Sequence, residues 1–350
     1  MTSAFPYRRN AYVDMLRGVA ALGIVAIHTA CWAGNSYVPR QFLSITLALD
    51  VPFFFFLSGW GASLHQGNIV NSSKRLGIIW LQWIAFITLA GVSCTAISFF
   101  LHSPYGLRGF NSAGELFDSY VFHVTLPRFE FLGGSLWFMP HYFVVVLVNT
   151  AITTLLSRYE NADELKKWYC AMLAAVFIWI TAKHYFFNLD TYFVFYSFFW
   201  MLGYNRRHLR VDTVDRLVKW WILMFVGYVL SSRWLHLPVG DVQNTKFPPT
   251  IQYAFWSMPA IFLGLFLEAK IPPPQILVHI GRNAIFYFFA QGVSCTINFF
   301  FVKWITLSNW FLKWSITFIL CVLISVVIAE SLSLLWKWTV ALAHRTLKSI

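Results

Sequence analysis

Long apolar runs separated by short polar connections dominate the chain and predict membrane-spanning helices. Ten of the runs are long enough, or nearly long enough, to cross the roughly 30 Å hydrocarbon core of a bilayer. The predicted spans are 12–34, 42–63, 76–101, 136–157, 168–187, 190–205, 217–235, 250–268, 276–302 and 312–336. The sixth run is short and follows directly on the fifth. The pattern predicts an all-α, polytopic membrane protein that forms a single domain over residues 1–350.

Composition supports the membrane class. Hydrophobic residues make up 58% of the chain and charged residues 11%, whereas ordinary soluble domains carry roughly 25% charged residues. The first apolar run contains Asp14 and Arg17 and lacks a clear cleavage site, so we interpret it as a retained span rather than a signal peptide. Because the chain ends soon after the tenth run, we expect no appended soluble domain.

The basic residues predict an orientation. With the N-terminus in the cytoplasm, 16 of the 26 Lys and Arg residues fall in inner connections and eight fall in outer ones. The positive-inside rule therefore places both termini in the cytoplasm. The net charge of +12 is explained by this bias and by attraction to anionic lipid. Nucleic-acid binding is not indicated, because the basic residues are scattered rather than gathered in one patch.

The first apolar run contains Asp14, Arg17 and His28. On a helix, eleven residues bring Arg17 and His28 to the same side about 16 Å apart, and Asp14 shares that side. Charge in hydrocarbon is costly, so such residues normally face a protein interior or a wet cavity and indicate a functional site. The structural alternative is an interfacial Arg that snorkels and a His that only packs.

The residue types on this face suit group transfer. Near the inner mouth of a cavity, the Arg17 guanidinium could pair with phosphate. Deeper in the membrane, the His28 imidazole could take a proton from a hydroxyl and return it to a leaving group. Acyl transfer to an alcohol needs these properties, but a proton-coupled transporter could use them as well.

The second apolar run and the connection after it add polar and basic residues. Asp50 precedes an aromatic stretch that ends in Ser58 and Gly59, and small residues permit close helix approach. Lys74 and Arg75 follow at the predicted inner mouth, where a phosphate-rich carrier could be held. Helix packing and anchoring of the topology are the structural alternatives for these residues.

Cysteines and histidines predict no metal site. The five cysteines lie in apolar stretches without CxxC spacing, and the ten histidines form no HExxH pattern. We therefore expect neither a disulfide framework nor a zinc site. Cys31 lies one turn after His28, where a Cys–His nucleophile is conceivable, although a small packing residue is the simpler interpretation.

Four short motifs, in order, carry a resemblance to a known family: DMLRGVAALGIVAIH, PFFFFLSGW, a basic KR pair and SLWFMPHYF. Together with the ten predicted spans, they resemble the integral-membrane acyltransferase-3 family of bacterial O-acetyltransferases over essentially the whole chain. The resemblance implies a bacterial inner-membrane enzyme without a metal. It also implies cytoplasmic acyl-CoA, in particular acetyl-CoA, as donor. The acceptor would be a hydroxyl of a surface polysaccharide, a lipid-linked sugar or peptidoglycan.

The resemblance assigns roles to matching residues. His28 matches the family's essential histidine, which we interpret as a general base, and Arg17 matches its paired arginine. The family often has two arginines three apart at the third span, whereas this chain has Lys74 and Arg75 and no Arg at 78. Its segment GRNAIFYFFAQG resembles one that often ends in histidine, but Gln291 stands there, and Gln cannot titrate.

Two residue sets follow from these assignments. The donor set is predicted to be Arg17, Ser58, Lys74 and Arg75. The acceptor set is predicted to be Asp50, Trp137, His141 and Gln291. Trp137 and His141 could border the acceptor mouth or serve only as interfacial anchors. Glu330, in the tenth run, invites a partner such as Arg or Lys. The connections 102–135 and 238–250 could shape the acceptor site or be ordinary loops.

The leading hypothesis is an inner-membrane O-acyltransferase, most simply an O-acetyltransferase, acting by direct transfer or through an acyl-His intermediate. The main alternative is a multispan transporter or flippase for a lipid-linked or glycosylated substrate, and a third is a sensory or assembly protein. Many transporters consist of inverted halves with matched broken helices, and no such repeat is evident in the sequence. A homo-oligomer is compatible with every hypothesis.

Overall fold

The computed structural model describes residues 10–33, 37–64, 68–101, 110, 112–122, 135–182 and 188–348. Within these ranges the chain is helical and forms no β-strand beyond an isolated bridge between Lys246 and Pro249. The helices are α1 (Ala11–His28), α2 (Arg40–Thr46), α3 (Val51–Ser63), α4 (Ile69–Leu101), α5 (Ala113–Tyr120), α6 (Phe138–Leu156), α7 (Ala162–Ala182), α8 (Asn188–Tyr204), α9 (Val214–Trp234), α10 (Ile251–Leu267), α11 (Gln275–Arg282), α12 (Ala284–Phe301) and α13 (Trp310–Lys348).

The polytopic all-α class is confirmed. In the described part of the chain, seven helical stretches are long and apolar enough to cross a membrane. They are Ala11–Cys31, Arg40–Ser63, Ile69–Ile97, Phe138–Leu156, Ala162–Ala182, Ala284–Trp304 and Trp310–Ala343. The predicted spans 190–205, 217–235 and 250–268 coincide with α8, α9 and α10. The count of ten and the side of the termini stay predictions.

The second predicted span, 42–63, is not one continuous helix. It consists of α2, a 3₁₀ turn over Leu47–Leu49 and α3, and Asp50 between them is extended. The reason is Pro52, which has no backbone N–H and therefore fits the first turn of a helix rather than its interior. Asp50 is therefore the residue that directly precedes α3, and its carboxylate lies at the N-terminus of this buried helix.

The ninth predicted span, 276–302, also divides into two helices, α11 and α12, with a break at Asn283. The short helix α11 lies in close backbone contact with α1. A Cβ atom on Gly281 would lie 1.6 Å from the Asp14 carbonyl oxygen, and one on Gly18 would lie 2.2 Å from the Leu277 carbonyl oxygen. Only glycines allow this approach, and Asn283, with φ −105° and ψ 16°, separates α11 from α12.

Several helix ends extend beyond the apolar runs. The third predicted span begins at Ile69 instead of 76, the fifth at Ala162 instead of 168, and the tenth continues to Lys348 instead of ending at 336. Polar residues continue these helices past the apolar core, which hydropathy cannot detect. The end of the fifth predicted span, 183–187, lies outside the described residues. The sequence did not predict α5, which lies in the connection 102–135. Most of the rest of that connection lies outside the described residues.

The crossing of α3 and α8 forms the centre of the core. A Cβ atom on Gly59 would lie 1.8 Å from the carbonyl oxygen of Trp200, and one on Gly203 would lie 1.9 Å from that of Phe56. Small residues at both contact points let the two backbones touch. Trp60 and Trp200 are among the largest fully buried side chains. The prediction that the small residues of the second span serve close helix approach is thus confirmed at Gly59.

Candidate functional site

His28 is the last residue of α1 and is followed by a π-helical turn over Thr29–Ala33. π-helical turns are often found at functional sites. The His28 side chain is buried, with the residue 8% exposed, and its Nδ1 donates a hydrogen bond to Oε1 of Gln291 on α12. Because an amide oxygen only accepts, Nδ1 carries the hydrogen and Nε2 holds the lone pair. This is the tautomer in which Nε2 acts as a general base.

A buried ion pair lies at the same end of the bundle. Asp50 Oδ2 lies 2.6 Å from Nζ of Lys246 and accepts a 2.6 Å hydrogen bond from the Tyr253 hydroxyl. The Asp50 and Lys246 side chains are only 1% and 6% exposed. Both charges lie close enough to His28 to act on it electrostatically. We call this part of the molecule the His28 end.

The connection 238–250 supplies Lys246 and is anchored to the bundle. The Ser44 hydroxyl donates to the Gly240 carbonyl at 2.7 Å and accepts from the Val242 amide at 3.1 Å. The Gly240 amide donates to the Tyr228 hydroxyl at 2.8 Å. The sequence indicates the connection 238–250 as a possible part of the acceptor site but does not single out Lys246, because a lysine in a connection between spans is ordinary.

Trp137 and His141 join an aromatic cluster next to the ion pair. The ring centroids of Trp137 and Phe247 are 5.0 Å apart, and His141 stacks on Tyr192 at 4.9 Å. Lys246 Nζ lies 5.5 Å from the centroid of Trp137. The structure therefore brings four predicted acceptor-side residues to the His28 end: Asp50, Trp137, His141 and Gln291.

Arg17 lies in the second turn of α1, about 16 Å from His28 by helix rise. Its Nη1 is 3.1 Å from Oδ1 of Asp14, and Nε of Arg282 is 3.7 Å from Oδ2 of the same carboxylate. Asp14 is 2% exposed at its side chain, while Arg17 is 30% exposed. A Cβ atom on Gly61 would lie 2.6 Å from Arg17 Nη2, so Arg17 rests against the last turns of α3. We call this region the Arg17 end.

Arg206, just after α8, adds a third guanidinium at the Arg17 end. It lies 4.1 Å from the ring centroid of Trp60, the neighbour of Gly61, and its Nη1 is 2.8 Å from Oε2 of Glu268. Burial lowers the pKa of Arg206, and the nearby Glu268 carboxylate opposes this shift without cancelling it. A guanidinium nevertheless keeps its charge at physiological pH. The sequence does not single out Arg206, because it is one of 16 basic residues in the predicted inner connections, which the positive-inside rule already explains.

A comparison with protein-family models gives one result that covers most of the chain. The model of the acyltransferase-3 family, described as an acyltransferase domain, matches residues 10–330. The chain belongs to this family. No curated protein and no solved structure matched the chain. The membership confirms the resemblance seen in the sequence and makes the chain a multi-pass membrane acyltransferase.

The other residues predicted to bind the donor lie on two different helices of the acyltransferase. Ser58 is half-buried on α3, three residues before Gly61, and so shares the side of α3 that meets Arg17. Lys74 and Arg75 are exposed in the second turn of α4. Arg282 shares the Asp14 carboxylate with Arg17, and Arg206 packs on Trp60, the residue before Gly61, which lies against Arg17. The donor role of all these residues stays a prediction.

Glu330 has a different partner from the Arg or Lys that was expected. Nε2 of His279 lies 2.8 Å from its Oε1, and the Tyr287 hydroxyl donates to the same oxygen at 2.9 Å. Glu330 is partly exposed and His279 is exposed. Local pattern does not identify a partner 51 positions away in the chain, and His279 lies on the separate helix α11.

All five cysteines of the acyltransferase fall in the described ranges and carry free thiols. Cys31 is half-buried in the π-helical turn after His28. Cys295 and Cys321 are buried, and their sulfur atoms lie 3.3 Å apart between α12 and α13, a proximity that sequence spacing does not reveal. Across the residues that the structure describes, no group of three or more His, Cys, Asp or Glu is arranged to hold a metal ion.

Proposed function

We propose that this acyltransferase moves an acyl group, in the simplest case acetyl, from cytoplasmic acyl-CoA to a hydroxyl of a cell-envelope glycan or related acceptor at the bacterial inner membrane. One observation carries the proposal. Inside a chain of an acyltransferase family, the buried His28 is held by Gln291 in the tautomer of a general base.

The charge of the Arg17 end supports binding of the donor there. Three guanidiniums, from Arg17, Arg206 and Arg282, face two carboxylates, from Asp14 and Glu268. The excess positive charge suits the phosphates of CoA, and a guanidinium recognises phosphate with several aligned donors. CoA carries its thioester at the tip of a long arm, away from the phosphates. Such an arm is what a separation of about 16 Å between Arg17 and His28 requires.

The proposed reaction is a direct acyl transfer in which His28 acts first as the general base and then as the general acid. His28 Nε2 takes the proton of the acceptor hydroxyl while the hydroxyl oxygen attacks the thioester carbon. The carbonyl π electrons move to oxygen, then return as the carbon–sulfur bond breaks. The leaving CoA thiolate takes the proton from His28. The products are an ester and free CoA, and the imidazole returns to its starting state.

The His28 end has features of an acceptor site. Under the predicted topology this end faces the envelope, where glycan acceptors are found. Trp137 and Phe247 present large rings there and Lys246 a charge, and clefts with aromatic walls and few placed polar groups are typical of ligand sites. The connection 238–250 is proposed to form part of the wall.

The test is transfer of label by the purified protein in lipid vesicles. We expect labelled acetyl-CoA to release CoA and to label an isolated envelope fraction. Mass spectrometry of envelopes from cells with and without the gene should then identify the molecule that loses one acetyl group. Movement of an unmodified substrate across the vesicle membrane without release of CoA would instead support the transporter alternative.

A further inference from the structure

The side-chain amide of Gln291 is used on one side only. Oε1 accepts from His28, while the buried Nε2 has no hydrogen-bond partner among the residues that the structure describes. A buried donor without a partner is costly, and native proteins contain few of them. Gln291 is 1% exposed, so water in bulk does not relieve this cost. The indole N–H groups of Trp60 and Trp200 are also buried without a partner in the described ranges, but the Gln291 donor differs from them because its amide contacts the imidazole of His28.

The position of this donor follows from the chemistry of the amide. Nε2 and Oε1 are bonded to the same carbon, so a group in contact with His28 through Oε1 holds its N–H donors beside the same imidazole. The backbone of Gln291 is held within α12, where the Ser294 hydroxyl donates to its carbonyl at 3.1 Å. The donor therefore lies near the Nδ1 edge of the same imidazole whose Nε2 receives the acceptor proton.

We propose that Gln291 is a catalytic residue whose Nε2 donates a hydrogen bond to the carbonyl oxygen of the acyl group. The inference rests on the proposed function. As the acceptor oxygen attacks, negative charge moves onto that carbonyl oxygen, and a fixed donor in a buried site stabilises it. The electron pair on this oxygen re-forms the C=O bond when the carbon–sulfur bond breaks, so the negative charge leaves the oxygen. Gln291 neither gains nor loses a proton, so His28 remains the one group that carries it.

A glutamate at this position separates the two tasks of the amide. In Gln291→Glu, a carboxylate still accepts from His28 Nδ1, so the orientation of the imidazole is kept, but the donor is lost and the carbonyl oxygen meets a negative charge. In Gln291→Met, a side chain of similar length loses both hydrogen bonds. Asn298→Leu is the matched control, because Asn298 is a buried amide on α12 whose Nδ2 donates to the Thr317 backbone at 2.9 Å.

The kinetic test compares each variant at the plateau of its own pH profile. We expect Gln291→Glu to lower kcat by about 100-fold or more, the usual effect of removing one such donor, with little change in KM for acetyl-CoA. Gln291→Met should lose more. Asn298→Leu should lower the melting temperature while leaving kcat and KM near the parent values. A Gln291→Glu enzyme as fast as the parent would overturn the inference.

A spectroscopic test covers variants that turn over too slowly to measure. A methyl-ketone analogue of acetyl-CoA, labelled with ¹³C at the carbonyl, cannot transfer its acyl group. Its bound carbonyl stretch should lie at lower frequency in the parent than in Gln291→Met, because a hydrogen bond weakens the C=O bond. Equal frequencies in the two bound proteins would overturn the inference. If His28→Ala keeps full turnover, the proposed function fails instead, so the two failures are distinguishable.

Discussion

Nζ of Lys246 lies 2.6 Å from Oδ2 of Asp50, and both side chains are buried. This ion pair joins the connection 238–250 to the start of α3. A buried pair adds little to stability compared with apolar packing, because desolvation of the charges offsets their attraction. Its value in this enzyme is the placement of a fixed positive and a fixed negative charge within electrostatic range of His28.

Removing one partner of this pair should be costly. In Lys246→Met the Asp50 carboxylate would stay buried without its countercharge, so we expect a loss of about 3–5 kcal/mol in stability and a clear fall in melting temperature in detergent. Lys219→Met is the matched control, since Lys219 pairs with Asp215 at 3.7 Å on the exposed surface and such pairs contribute little. Equal melting temperatures for the two variants would contradict the buried pair.

The α3–α8 crossing predicts a difference between two glycines. Gly59→Ala would place a Cβ atom 1.8 Å from the backbone oxygen of Trp200, so the helices must separate and the protein should lose stability or fail to accumulate. Gly77→Ala on α4 meets no described atom within 4 Å and should be tolerated, since Ala also favours helix. Thermal unfolding of the two purified variants measures this. A tolerated Gly59→Ala would show that the crossing is wrong.

The cations at the Arg17 end predict where the donor binds. We expect Arg17→Met to raise KM for acetyl-CoA by about tenfold or more, because a charge-assisted hydrogen bond contributes about 1.5–3 kcal/mol. The exposed pair on α4, changed together as Lys74→Met and Arg75→Met, should have a smaller effect. Steady-state kinetics over a range of donor concentrations compares them. A larger rise in KM for the α4 double variant would assign the phosphates to Lys74 and Arg75 instead.

The contact between Cys295 and Cys321 predicts a specific cross-link. Their sulfurs lie 3.3 Å apart, so iodine in the membrane should oxidise the two thiols to a disulfide while being reduced to iodide. Peptide mass spectrometry should find this link between α12 and α13 in the parent and lose it in Cys295→Ser. Links of Cys295 to Cys94 or Cys170 in place of Cys321 would contradict the packing of the last two helices.

The sequence predicted the class of fold because a bilayer imposes one length and one composition on every span. It did not predict the breaks inside two of the spans. At Asp50 the break depends on one proline, which a hydropathy window averages away. The break at Asn283 accompanies a glycine contact between α11 and α1, and such contacts are long-range and cannot be inferred from local periodicity.

Helix geometry alone predicts only the part of the candidate site that lies on α1. Arg17 and His28 share a helix, so their spacing could be worked out from helix geometry. The partner of His28 is 263 positions away in the chain, and Gln291 was selected from the family resemblance rather than from any local pattern. Lys246, Arg206 and Tyr253 were missed because each has an ordinary local role as a loop lysine, an anchor or a core aromatic residue.

The most direct test of the account measures release of CoA from labelled acetyl-CoA by purified His28→Ala and by the parent protein. Both assays contain the same envelope fraction as the source of acceptor. Circular dichroism and the melting temperature would show that both proteins are folded. The account predicts that the parent transfers label and that His28→Ala releases CoA at the background rate. Transfer by folded His28→Ala at the parent rate would contradict it.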